Sequence, residues 1–168
     1  MLHEDEPQGN GFQRVYMQHA DAVYRVCYGF MKNSADAEDA VQETFLKFLR
    51  SEQSFDGENH ERAWLIVTAS NICKNILKSW TRQKREDVEN AEELLPACCD
   101  KEEINPVLEA VLNLPDKYKT VIYLYYYEEY SCREISLAMN KKESSIRSLL
   151  KRGRALLEKQ LGGETDEK

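Results

Sequence analysis

Glycine and proline are scarce in this chain, seven and four among 168 residues. No stretch alternates apolar and polar residues for long, so nothing supports a sheet, and the expected fold class is all-α. The three histidines, His3, His19 and His60, are scattered, and no Cys-x-x-Cys or Cys/His metal spacing occurs. That speaks against a zinc site. Five cysteines, Cys27, Cys73, Cys98, Cys99 and Cys132, are an odd number and read as reduced thiols serving as small core residues. No apolar run approaches the ~20 residues of a membrane span. The N-terminus is acidic at Glu4, Asp5 and Glu6 and has no apolar stretch of a secretory signal, so a cytoplasmic protein without direct membrane insertion is expected. No nucleophile–base pair, metal cluster or phosphate loop is legible. The expectation is a non-enzyme without cofactor, metal or small-molecule substrate.

What is present is a 42% apolar fraction, enough for one ordinary domain or two small ones, and a net charge of −7 that is unevenly spread. Lys74, Lys78, Arg82, Lys84 and Arg85 follow one another with no acid between them. Residues 86–103 then hold eight acids against one base, and residues 141–159 hold seven bases against two acids. Two basic segments therefore flank an acidic strip. Such local fields steer nucleic acid, whereas net charge mostly sets solubility.

The apolar positions Phe12, Val15, Tyr16, His19, Val23, Val26, Cys27 and Phe30 recur at three and four, the spacing of one helix face. Asn33 or Ser34 offers an N-cap to a second helix, with Asp36, Glu38 and Asp39 favourably placed near its positive end. That helix is expected to bury Ala37, Val41, Phe45, Phe48 and Leu49. Residues 51–60, around Gly57, read as a loop. A third helix is expected from about 61 to 85, with Trp64, Leu65, Thr68, Ile72, Ile76 and Leu77 as its stripe. Lys74, Lys78 and Arg82 lie at i, i+4 and i+8 on it and share one face.

Residues 86–103 lack periodicity and read as a linker between domains at 8–85 and 104–162. Asn105-Pro106 and Leu114-Pro115 each start a helix, the second running to about 128. Ser131-Cys132-Arg133-Glu134 matches a capping box, and the short helix behind it ends near Asn140. The final helix, about 143 to 161, stops at Gly162-Gly163. Its apolar stripe is Ile146, Leu149, Leu150, Gly153, Leu156, Leu157 and Leu161. Gly153 is expected to cost up to ~1 kcal/mol of helix propensity. Ser144, Ser145, Arg147, Ser148, Lys151 and Arg152 point mostly away, as on a helix that enters a DNA groove. The tyrosines Tyr123, Tyr125, Tyr126, Tyr127 and Tyr130 are expected in the core with their hydroxyls at the surface.

Four segments, in order, resemble the bacterial extracytoplasmic-function sigma factors: Ala35-Asp36-Ala37-Glu38-Asp39-Ala40-Val41-Gln42-Glu43-Thr44-Phe45; Arg62-Ala63-Trp64-Leu65; Leu114-Pro115; and the helix-turn-helix over residues 130–154. The resemblance covers about residues 12–161. It implies a two-domain initiation subunit of RNA polymerase whose partners are core polymerase, promoter DNA and an anti-sigma factor. It assigns core binding to Asp36, Glu38, Asp39, Gln42 and Glu43. The −10 element falls to Phe55, Asn59, His60, Asn71, Lys74, Lys78 and Arg82, and the −35 element to Arg133, Ser144, Ser145, Arg147, Ser148, Lys151 and Arg152. The chain departs from the family at Ser70 and Leu149, where arginine is usual, and at Lys142, where a capping serine or threonine is usual. The resemblance thus implies a missing −10 phosphate contact at Ser70 and an unusual −35 preference. Two rival readings are a helix-turn-helix regulator acting without polymerase, and a sigma-like interaction protein with degraded promoter binding.

Overall fold

The computed structural model describes residues 8–86 and 106–162. The acidic strip from residue 87 onward, Cys98 and Cys99, the Asn105 cap and Gly163 lie outside the described residues. Seven helices and no strand are found among the described residues: α1 (Gln8–Met31), α2 (Ser34–Arg50), α3 (Glu58–Glu86), α4 (Pro106–Leu112), α5 (Asp116–Tyr126), α6 (Cys132–Met139) and α7 (Glu143–Gly162). The fold is all-α.

Local chemistry sets most of the helix ends. Asn33 caps α2, its side-chain oxygen accepting from the Asp36 amide at 2.9 Å. Pro106 opens α4, where its missing N–H costs nothing. The Ser131–Glu134 capping box closes at both ends, and backbone hydrogen bonding from Ser131 holds the Glu134 carboxyl below its usual range. Asn140 ends α6 in the left-handed region, at φ 52°, which asparagine tolerates better than most residues. One boundary differs from expectation. Gly57, at φ 97°, turns the chain early, so α3 starts at Glu58, and Asn59 and His60 stand on its first turn rather than in a loop.

Helices α1, α2 and α3 pack on one another, as do α4 to α7. The two groups also touch, through α3 against α5 and α6 and α1 against α4. This explains why α3 is buried all round in its first half, at Ala63, Leu65, Ile66, Val67, Thr68, Ala69, Ser70 and Cys73. A single amphipathic stripe describes its second half better. Ser70 is buried, and its hydroxyl donates to the Ile66 carbonyl at 2.9 Å. The residues around it include Lys119, Thr120 and Tyr123 of α5. Leu49 and Leu161 are exposed rather than packed. Cys27 and Cys73 are both buried, and a hydrogen bond between their thiols, together with burial, pushes the Cys27 thiol up.

Gly153 has a role that helix propensity does not reveal. A Cβ there would sit 2.8 Å from Ile122 Cγ1 and 2.9 Å from its Cδ1. The glycine lets α7 ride close on α5. Gly153→Ala is therefore expected to lose about 1–2 kcal/mol through overpacking, despite the propensity it gains. Urea unfolding measures this. A stabilised variant would show that Ile122 moves aside freely.

Candidate nucleic-acid interface

The turn between α6 and α7 builds the first cationic surface. Lys142 caps α7 with its backbone alone, its carbonyl accepting from the Ser145 and Ile146 amides at 2.9 and 3.2 Å. Its side chain is left free to point outward. Lys141, Lys142, Ser144, Ser145, Ser148, Leu149 and Arg152 line an open concavity of about 680 Å³. Of the expected −35 residues, Ser144, Ser145, Ser148 and Arg152 are gathered there. Arg147 is exposed but pairs with Glu143 at 2.5 Å, one turn back. Lys151 and Arg133 are exposed and do not line this concavity. Lys141 and Lys142 were not anticipated as site residues.

The second cationic surface runs along α3. Lys74, Lys78 and Arg82, expected on one face, line a cleft of about 290 Å³ with Leu77, Thr81 and, from α5, Asp116. Burial pulls the Lys74 ammonium below its usual range, and Asp116 partly offsets this. Asn71 is exposed farther back on the same helix.

Ahead of that track, Phe55, Phe48, Trp64 and His60 form an aromatic cluster. Phe55 stacks on Phe48 at 5.9 Å, and Trp64 and His60 meet its edge at 5.6 and 5.4 Å. His60 Nδ1 accepts from the Asp56 amide at 3.2 Å. Asp56, Asn59, His60 and Ala63 line a cavity of about 510 Å³, whose other wall is Tyr130, Glu134 and Leu137 of the C-terminal half. The Tyr130 hydroxyl donates to the Asn59 carbonyl at 3.0 Å. Nearby, Arg62 Nε donates to Glu128 at 2.6 Å, and the Tyr123 hydroxyl donates to the same carboxylate at 3.2 Å. Burial works against the Arg62 charge, but Glu128 outweighs it and raises the guanidinium pKa. Burial pushes the phenols of Tyr123 and Tyr130 up to about 12. These two hydroxyls are turned inward, contrary to expectation. Tyr126 is the exposed member of the series and lies under the Arg154 guanidinium.

On α2, Glu38, Asp39, Gln42 and Glu43 are exposed as expected. Asp36 is half-buried beside Asn33, whose side-chain amide donates to it, so its first role is at the cap. Leu46 and Leu49, 43% and 54% exposed, extend the acidic face with apolar surface. Two exposed leucines beside carboxylates make a better protein-docking face than carboxylates alone. Among the described residues no group of three or more His, Cys, Asp or Glu could hold a metal ion, and no helix is long and apolar enough to cross a membrane.

Two family models match the chain, Sigma-70 region 2 over residues 15–86 and Sigma-70, region 4 over residues 104–157. The chain is 31% identical over 167 residues to the ECF RNA polymerase sigma factor SigW of Bacillus subtilis, covering 90% of this chain and 89% of that protein. It is 32% identical over 145 residues to the ECF RNA polymerase sigma-E factor of Haemophilus influenzae, covering 75% of each. In fold it is similar to the sigma factor RpoE, solved in complex with the anti-sigma factor NepR from Bartonella quintana. The TM-score is 0.70 at 18% identity, over 94% of this chain and 99% of that one.

Proposed function

We propose, for a chain that belongs to the extracytoplasmic-function sigma factors of bacterial RNA polymerase, a division of labour between its two helical halves. The protein initiates transcription with core polymerase. In our reading the half over residues 8–85 docks on core through Glu38, Asp39, Gln42 and Glu43 of α2, with Leu46 and Leu49 completing the face. The same half holds the opened −10 element with Phe55, Asn59, His60, Asn71, Lys74, Lys78 and Arg82. The half over residues 104–162 reads the −35 element as duplex through the concavity on α7. The chain recruits and positions and performs no catalytic step. An anti-sigma protein is the further partner in this reading, since two exposed leucines among carboxylates need cover whenever polymerase is absent.

The observation that supports this best is the separation of charge. One acidic face and two cationic surfaces lie on different helices of one chain, which suits a protein that bridges polymerase and two promoter elements. A regulator acting without polymerase has no use for the α2 face.

Transcription in vitro with purified core polymerase on a promoter library tests the reading directly, and no promoter-dependent transcript would end it. At the residue level, Asp39→Lys is expected to weaken core binding by about 1–3 kcal/mol, because it brings like charge to a complementary surface. Helix content should be unchanged, since the position is exposed. Undiminished core affinity in the folded variant would remove α2 from the docking surface.

A further inference from the structure

The concavity on α7 contains one side chain that its chemistry does not explain. Lys141, Lys142, Ser144, Ser145, Ser148 and Arg152 are all polar and exposed, whereas Leu149 is apolar and half-buried. Leu149 stands one turn from Ser145 and from Arg152, so it presents its free edge beside them. Its inner part packs on the edge of the core, and its outer part stays open. Ile146, Leu150 and Gly153 already supply the buried face of α7 against α5 and α6.

In the DNA major groove the base edges offer hydrogen-bond donors and acceptors and one apolar group, the C5-methyl of thymine. An aliphatic edge among lysines, hydroxyls and an arginine matches that group and no other on the groove floor. We propose that Leu149 is a specificity-determining residue, reading a thymine methyl in the −35 duplex. The flanking serines and cations fix the helix in the groove. This rests on the assignment of α7 to the −35 element. It also gives the departure from the family's arginine a positive meaning. An arginine favours guanine at its position, whereas a leucine favours thymine.

The test uses the full chain bound to core polymerase and a duplex −35 probe selected by that holoenzyme. Each thymine is replaced in turn by deoxyuridine, which removes only the methyl. One replacement is expected to weaken binding about fourfold, equivalent to the ~0.8 kcal/mol of one buried methyl-sized group. Leu149→Ala should bind the thymine and uracil probes equally. Leu149→Met, which keeps apolar reach and core packing, should retain the discrimination. A −35 preference indifferent to every uracil replacement would overturn the proposal alone, as would discrimination that persists in folded Leu149→Ala. Absence of any −35 dependence would overturn the assignment of α7 as well.

Discussion

Replacing Glu61 by alanine is expected to remove about 3 kcal/mol of folding stability. Glu61 is 7% exposed, on the first turn of α3. Its carboxylate accepts from His19 Nε2 at 2.9 Å and from Arg14 at 3.3 Å, both on α1. His19 is 1% exposed, and its Nδ1 already lacks a partner. Without Glu61 neither ring nitrogen is satisfied, and an unpaired buried polar group is more costly than a lost surface ion pair. Arg14 is largely exposed and rehydrates, so its share of the loss is small. Glu61→Gln should lose less, because the amide oxygen still accepts from His19. Urea unfolding with an unchanged denaturant slope provides the measurement. A midpoint shift equivalent to less than about 1 kcal/mol would mean that water replaces the carboxylate. The pair anchors the start of α3 on α1, so the variant should also loosen His60 and the aromatic cluster beside it.

Charge reversal at Glu128 is expected to separate the two halves. The Glu128 side chain is 5% exposed and holds Arg62, a residue of the N-terminal half. Lysine there sets two cations together where solvent screens poorly, and disrupting a buried pair costs about 3–5 kcal/mol. Cross-half contacts beside the pair include the Tyr130–Asn59 hydrogen bond, Lys32 to Asn113 at 3.5 Å, Lys119 over the Phe30 ring, Leu112 against Gly29 and the packing of α3 on α5 and α6. Small-angle scattering should show a larger radius of gyration, and amide exchange should quicken at the start of α3. Promoter opening should become faster, because α6 no longer walls the cavity around Asn59 and His60. The exchanged pair Arg62→Glu with Glu128→Lys should restore compactness, which a merely unfolded variant would not. An unchanged radius for Glu128→Lys would show that the ion pair does not hold the halves together.

Helix ends written in side-chain chemistry were legible in the sequence. Asn33, Pro106, Ser131 with Glu134, and Asn140 each satisfy or spare backbone groups within a few residues, and such local bonds leave a local signal. The face shared by Lys74, Lys78 and Arg82 was legible for the same reason, since helical spacing decides it. Periodicity fixes the phase of a stripe but not how much of it a neighbour covers, and Leu49 and Leu161 stay exposed. The start of α3 leaves no apolar signal, because its first turn is polar and follows a glycine in a left-handed turn. Ser70 was read from its place in a motif, whereas its burial comes from packing partners on both sides of α3. Arg62 and Glu128 are 66 residues apart, and nothing local marks either as the other's partner. Gly153 looked like a propensity defect because propensity scales contain no neighbouring helix.

Asp116 has a consequence for ions. Its carboxylate lines the cleft of Lys74, Lys78 and Arg82, which the proposed function gives to the −10 strand. While it stays there it takes the place of a mobile anion. Polyanion entry into a bare cationic cleft releases counterions to bulk, and that entropy makes binding salt-sensitive. In that reading part of the neutralisation is covalently built in, so DNA would displace a tethered carboxylate as well as free ions. Displacement and binding are linked reciprocally: whatever draws Asp116 out of the cleft favours the DNA, and DNA in the cleft favours the withdrawal of α5.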